Sequence, residues 1–462
     1  MDFGFEGFES SNFETELEDI RIVKFKKFDR MLGVGEGGSI QCTPLIMNGI
    51  VHFGSCDHYF YALNSKTGEV TWKYRTGGII MSSPCSDGER IFTTSYDGFI
   101  YALDLKTGNL LWRFKTGGKI FSSPYCKDGM VYFGSTDKNV YAVRADNGEE
   151  IWRFATGDEI NAAPLVHEGR VYVGSYDENV YVLDAKTGKE LWRFKTGGEL
   201  FWHYPPLLKE GVLYFASFDN YLYALDISTR KVLWKFRTGK FGNAGVPVIQ
   251  GDRLYHAERG GIFYCLDKNT GEEIWRFVAG ETLSQRPLIY NEKIYFGTED
   301  FNMYCLTLEG KEIWRFRTGG YVYSSPVLLD NIIYFGSWDC HLYALDADSG
   351  KEVWRFMTNT AKQSYEPPPH PNFRIELKKE THVEDSISED KYKSKRKGET
   401  VSLSDYHVES EYHTESEYKQ KSDYSVEFII FENTFNTEET AWNSDLKVSS
   451  HLISRQSWMT SR

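Results

Sequence analysis

The chain has 462 residues, a formal net charge of −13, and 26% charged and 16% aromatic residues. An acidic balance in which Lys and Arg are interspersed with Asp and Glu lacks the basic stripe of a phosphate-backbone binder, so no nucleic-acid partner is expected. No apolar run approaches the roughly 18 residues that a membrane helix requires, so no membrane insertion is expected either.

Residues 1–19 hold seven acidic residues and no basic one, with Phe3, Phe5, Phe8 and Phe13 among them. This acidic, aromatic stretch reads as a disordered docking arm. It also lacks the positive start and apolar stretch of a secretory signal. The next segment, Ile20 to Phe28 (Ile-Arg-Ile-Val-Lys-Phe-Lys-Lys-Phe), has the look of an outer β-strand. It is expected to pair near a seam and hide an edge that would otherwise invite aggregation. Seven cysteines (42, 56, 85, 126, 265, 305 and 340) form no Cys-x-x-Cys pair. That odd, scattered set reads as reduced thiols, and a cytoplasmic location follows as the expectation.

Eight tryptophans then recur: Trp72, Trp112, Trp152, Trp192, Trp234, Trp275, Trp314 and Trp354, at intervals of 40, 40, 40, 42, 41, 39 and 40 residues. A period near 40 with strand-like content predicts one propeller blade per repeat. Residues 118–154 show four short alternating strands separated by turn clusters such as Lys127-Asp128-Gly129 and Asp146-Asn147-Gly148. The predicted class is therefore all-β, an eight-bladed propeller of four-stranded blades. The turn before each tryptophan carries a glycine (68, 108, 148, 188, 271, 310 and 350) except at Arg230, where a strained or differently shaped turn is expected. Each indole is expected to pack against the neighbouring blade, a structural role. A recurring aspartate (57, 97, 137, 177, 219, 300 and 339) could be taken for a ring of metal ligands. Its place at a turn instead suggests hydrogen bonds to backbone amides two residues on.

Function should lie where the copies disagree. The first strand of most repeats begins with small residues before a proline: Cys42-Thr43, Ser82-Ser83, Ser122-Ser123, Ala162-Ala163 and Ser324-Ser325. Repeat five instead inserts two residues and reads Phe201-Trp202-His203-Tyr204-Pro205-Pro206, repeat six has Gly260 in place of its aspartate beside His256, Glu258 and Arg259, and repeat seven has Gln285-Arg286. Trp202, His203, Tyr204, His256, Arg259, Gln285 and Arg286 form the candidate binding patch, rich in the aromatic and Arg residues of interaction hot spots. No histidine spacing suits a metal, and no nucleophile elbow, P-loop or His-Glu-x-x-His motif is present.

Past Thr360 comes a stiff Glu366-Pro-Pro-Pro-His-Pro371 linker, then a charged, apolar-poor stretch. A six-residue repeat there places Tyr406, Tyr412, Tyr418 and Tyr424 in strict period, each behind an acidic residue. An even period puts all four on one face of an extended chain, which suits a multivalent linear motif.

The string Ala102-Leu-Asp-Leu-Lys-Thr-Gly-Asn-Leu-Leu-Trp112, repeated as Val182 to Trp192, resembles the tryptophan-docking motif of the pyrroloquinoline-quinone-like (PQQ-like) propeller repeat family. The resemblance spans about residues 38–358. Its enzymatic branch implies a quinone in the axial funnel, a Ca²⁺, a catalytic Asp and vicinal cysteines. This chain has no adjacent cysteines and short, regular repeats, and it is more similar to the scaffold branch of outer-membrane assembly. The expected organisation is an arm at 1–19, the propeller at 20–360 and a low-complexity tail at 361–462. The expected function is a non-enzymatic protein-interaction scaffold without cofactor or metal, its partner bound by a propeller face and by the tail. The alternatives are a small-molecule or quinone-binding propeller with a ligand in the axial funnel, oxidoreductase-like, or a sensor module of a regulatory complex.

Overall fold

Alternating β-formers between turn residues build the same unit eight times. The computed structural model describes residues 38–200, 204–239, 245–279 and 286–358. Among them are eight four-stranded antiparallel sheets, each made of consecutive strands in chain order. The blades cover residues 45–75, 85–115, 125–155, 165–195, 207–237, 248–278, 288–317 and 327–357. The arm, the segment 20–28 and the tail, with Tyr406, Tyr412, Tyr418 and Tyr424, lie outside the described residues.

In each blade the second and third strands are largely buried and the outermost strand is mostly half-buried or exposed, as in Asn179–Asp184 against Glu190–Lys195. The apolar clusters lie between neighbouring blades. One joins Phe92 and Ile100 of blade 2 to Phe133 and Tyr141 of blade 3, and another joins Tyr334 and Leu342 of blade 8 to Phe53 and Tyr61 of blade 1. A single blade cannot bury both of its faces, so stacking supplies the core.

The tryptophans work at these interfaces. The Trp112 Nε1–H donates to the Ala145 carbonyl of the next blade at 3.0 Å, and its ring lies against Gly148, where an added Cβ would sit 2.5 Å from Cε3. The same pair of contacts recurs at Trp72, Trp152, Trp234, Trp275, Trp314 and Trp354. Glycine is required twice over at this turn, by positive φ and by the indole. Arg230 adopts the same turn with φ 58°, and its N–H donates to the Asp226 carbonyl at 2.8 Å as Gly188 does to Asp184. The shape is thus shared and the conformation is unfavourable for a side chain. The Arg230 guanidinium lies 5.7 Å from the Trp192 ring centre, which offsets part of that cost.

The repeated aspartate is structural. Asp97 accepts from the Phe99 N–H at 2.9 Å, the Tyr101 hydroxyl at 2.5 Å and the Gly77 N–H of the incoming chain at 2.8 Å. The tyrosine four residues on is a partner the turn argument did not anticipate. Burial pushes the Asp177 carboxyl up, but bonds from Tyr181, Asn179 and the Gly157 amide outweigh it and hold the group below its usual range.

The ring closes without strand exchange. Blade 8 contributes all four of its own strands, and its junction with blade 1 repeats the bonds of the other junctions. Trp354 Nε1–H donates to the Ser65 carbonyl at 2.9 Å, and the Ile40 N–H donates to the Ser337 carbonyl at 3.0 Å, as Ile80 does to Ser55 at 3.2 Å.

One expectation is corrected. Cys85 and Cys126, on the first strands of blades 2 and 3, are joined by a disulfide, with 6.1 Å between their Cα atoms. Neighbouring first strands lie side by side around the axis, which brings the two together. The other five cysteines are free and buried. These two cysteines therefore give no support to the reduced-thiol argument for a cytoplasmic location.

Candidate functional site

The first strand of each blade starts at the propeller axis, and the residue before its proline faces its counterparts there. In five consecutive blades these residues form a belt of hydrogen bonds. The Arg286 N–H donates to Ser325 Oγ, Ser325 N–H to Thr43 Oγ1, Thr43 N–H to Ser83 Oγ and Ser83 N–H to Ser123 Oγ, at 3.1, 3.1, 2.9 and 3.0 Å. In blades 4, 5 and 6 the matching residues are Ala163, Pro205 and Val246, which offer no hydroxyl. The belt stops there.

Tyr204 fills that gap from the side. It comes from blade 5, four blades from blade 1 in either direction, yet its hydroxyl meets Thr43 Oγ1 at 2.8 Å. The side chain thus reaches across the axis and is buried there, at 2% exposure. The Arg286 guanidinium lies 5.9 Å from the Tyr204 ring centre. Tyr204→Phe is expected to destabilise the protein by about 1 kcal/mol, the worth of one buried hydrogen bond, because Thr43 keeps its bond from Ser325. Urea unfolding of the two proteins measures it.

Of the candidate patch, the structure brings Tyr204 and Arg286 together. Trp202, His203 and Gln285 lie outside the described residues. Arg259 stands over the Phe218 ring of blade 5 at 5.3 Å. His256 is fully buried within its strand Arg253–Ala257, with Gly245 against its ring, so it faces the core and no surface. Burial lowers its pKa to about 3, and burial likewise lowers that of His52 to about 4. Both rings are neutral when folded but would take up a proton below about pH 6.5 when unfolded. Stability is therefore present above pH 6.5 and falls as the pH drops toward these values, by about 1.4 kcal/mol per pH unit for each ring. His256→Gln is expected to remove one ring's share of that slope between pH 6 and 4, measured by urea unfolding at each pH.

Sequence reasoning noted Gly260 in place of the aspartate but left the neighbouring Glu258 out of the candidate patch. In blade 6, Glu258 stands where the other blades have a buried serine or, in blade 7, Thr298, and Gly260 stands where they have the aspartate. The fully buried Glu258 carboxylate reaches into the vacated space, since a Cβ on Gly260 would lie 2.5 Å from Oε1 and one on Gly239 2.7 Å from Oε2. Burial raises its pKa, while the amides of Gly260, Gly239 and Ile262 face it and favour the charge without a hydrogen bond of ordinary geometry. Tyr264, the counterpart of the aspartate-bound tyrosines, is pushed up to about 12 by burial and by the Glu258 charge. Two substitutions two residues apart in one repeat were the available signal.

The described residues do not fit a Ca²⁺–quinone centre. Among the described residues no group of three His, Cys, Asp or Glu side chains could hold a metal ion. The repeated aspartates use their oxygens on tyrosines and amides, as at Asp97 and Asp219.

A family model described as "Beta-alanine-activating enzyme, beta-propeller" matches residues 128–383. A second, described as "Outer membrane protein assembly factor BamB", matches residues 32–122 and 56–159. No curated protein matches the chain. Among solved structures, BamB from Moraxella catarrhalis is 18% identical, with TM-score 0.56 over 67% of this chain and 96% of that one. The computationally designed Ika8 protein is 14% identical, with TM-score 0.59 over 70% and 97%. A europium-containing methanol dehydrogenase is 14% identical, with TM-score 0.54 over 67% and 83%. These likenesses fit a PQQ-like repeat propeller closer to the BamB type, and at such identities they show fold alone.

Proposed function

The chain belongs to the β-propeller family of the beta-alanine-activating enzyme, and from that premise we propose that it is a non-enzymatic scaffold that binds a protein partner. The observation that carries this reading is an apolar rim. Among the described residues, every exposed large hydrophobic lies on an outermost strand, including Leu111, Ile151, Leu191, Leu233, Ile274 and Ile313. Each of these six falls at a β-bulge: in blade 3, Trp152 pairs with Ala142 and Glu150 with Val143, which leaves Ile151 unpaired and turned outward. A bulge blunts strand-to-strand pairing at that level while presenting the side chain. Ion pairs such as Arg153–Glu150 and Arg193–Glu190 flank these residues, so apolar anchors alternate with polar groups as in a protein interface. The similarity to BamB supports the same reading. The tail, with Tyr406, Tyr412, Tyr418 and Tyr424, supplies a second contact in this proposal, and the cytoplasm its location.

Affinity purification from source cells tests it. Proteins recovered with the full chain should fall at least tenfold with Leu111→Glu/Ile151→Glu/Leu191→Glu. Unchanged recovery would overturn the rim as the docking surface. A second reading, a small molecule in the axial funnel, is favoured by Gln41 Oε1 and Trp338 Nε1, buried atoms with no hydrogen-bond partner among the described residues. Titration with pyrroloquinoline quinone and Ca²⁺ separates the two, since tight stoichiometric binding would replace the scaffold reading.

A further inference from the structure

The chain enters the propeller where the outermost strand of blade 8 ends. In blades 1, 2, 4 and 7 a threonine follows the outermost strand and bonds the carbonyl of a glycine two residues later, as Thr76 Oγ1 does to Gly78 at 2.7 Å and Thr318 Oγ1 to Gly320 at 2.6 Å. At the seam Thr358 Oγ1 donates to Gly38 at 2.6 Å, a residue 320 positions away. Gly38 thus occupies the place of the strand's own continuation. Gly38, where the described residues begin, lies at the end of Glu352–Met357, which is already the fourth strand of blade 8.

That strand also has an unusual edge. Five blades end their outermost strand with Arg75, Lys115, Lys195, Arg237 or Arg317, cations that discourage pairing with another strand. Blade 8 ends with Met357, which is 61% exposed. Its register beyond the bulge is regular, with Trp354, Arg355, Phe356 and Met357 paired inward, and no strand among the described residues pairs with its outer side. A strand pattern with four cations precedes Gly38 in the sequence: Ile20-Arg-Ile-Val-Lys-Phe-Lys-Lys-Phe28. Residues 29–37 include Gly33, Gly35 and Gly37. Nine residues can span up to about 30 Å, against about 20 Å for a six-residue strand.

We propose that residues 20–28 add to blade 8 as a fifth strand, pairing along Trp354–Met357 and covering Met357. Arg21, Lys24, Lys26 and Lys27 then supply at the new edge the positive charge that Met357 lacks. Ordinary closure completes a blade that lacks a strand, whereas here the added strand lies over a complete one. Val278, the other large apolar residue at this position, is 65% exposed in blade 6 and lies far in sequence from residues 20–28, so it serves as the internal control.

Hydrogen exchange on the full chain tests the proposal, with Val23→Pro/Phe25→Pro as the variant, since those prolines lie outside the eight blades and remove donors from the added strand. Amides of residues 354–357 should exchange at least tenfold faster in the variant, while those of 275–278 and 314–317 stay unchanged. Equal exchange in both proteins would overturn it. So would protection of 354–357 that vanishes on deleting 361–462, or that depends on protein concentration, since these would assign the edge to the tail or to a second copy. Tryptophan fluorescence confirms that the variant retains its fold.

Discussion

Gly108→Ala is expected to destabilise the propeller by about 2–5 kcal/mol, against about 1–2 kcal/mol for Gly88→Ala. Both glycines have positive φ, 72° and 96°, so each alanine meets the same backbone penalty. Around Gly88 nothing lies within 4 Å of an added Cβ, and the cost ends there. At Gly108 the Cβ would lie 2.3 Å from Trp72 Cε3 and 2.5 Å from Cδ2, rigid ring atoms that can give way only by moving the indole. Moving it strains the Trp72 Nε1 bond to the Leu105 carbonyl, now 3.3 Å, and opens the interface of blades 1 and 2. Urea midpoints for the two variants give the comparison. Equal losses would show that the indole yields freely and that the contact does not determine the turn.

Trp354→Ala is expected to cost about 4–6 kcal/mol, about 3–5 for the lost aromatic and about 1 for its hydrogen bond. Trp354→Phe should recover most of this, because the Ser65 carbonyl still accepts from the Tyr334 hydroxyl at 3.0 Å and is not left bare. The matched substitution Trp314→Ala removes the same contact between blades 7 and 8, where the chain itself also joins the blades. At the seam no such connection exists among the described residues. The seam variant should therefore unfold at lower urea and with a broader transition than its interior twin. Fluorescence and far-ultraviolet dichroism followed together decide it.

Much of the fold was legible because every blade solves the same packing problem with the same residues. Each indole needs a bare glycine opposite it, and both recur with the blade, so the repeat shows in one dimension. Arg230 shows how far that goes: the exception was visible, but the stacking on Trp192 that makes it tolerable was not. The axis was harder to read, since Tyr204 and Thr43 are 161 residues apart and no local pattern links a residue to the opposite blade. His256 looked like a polar outlier in sequence because its strand context did not reveal that both of its faces are covered. Cys85 and Cys126 were read as thiols from their odd total. Their separation of 41, one repeat and one residue, was the sign that they sit on adjacent blades.

The likeness of the seam to the interior junctions has a consequence for the order of the repeats. Each blade is cut from one unbroken stretch of chain, and the bonds across the seam match those inside the array. The ring therefore has no structurally privileged first member among its described residues. A circular permutant opened between blades 3 and 4, with residues 38 and 358 linked, should close into the same ring, since the break would cross no sheet. The propeller resembles a necklace of equal beads whose clasp is one more bead-to-bead contact.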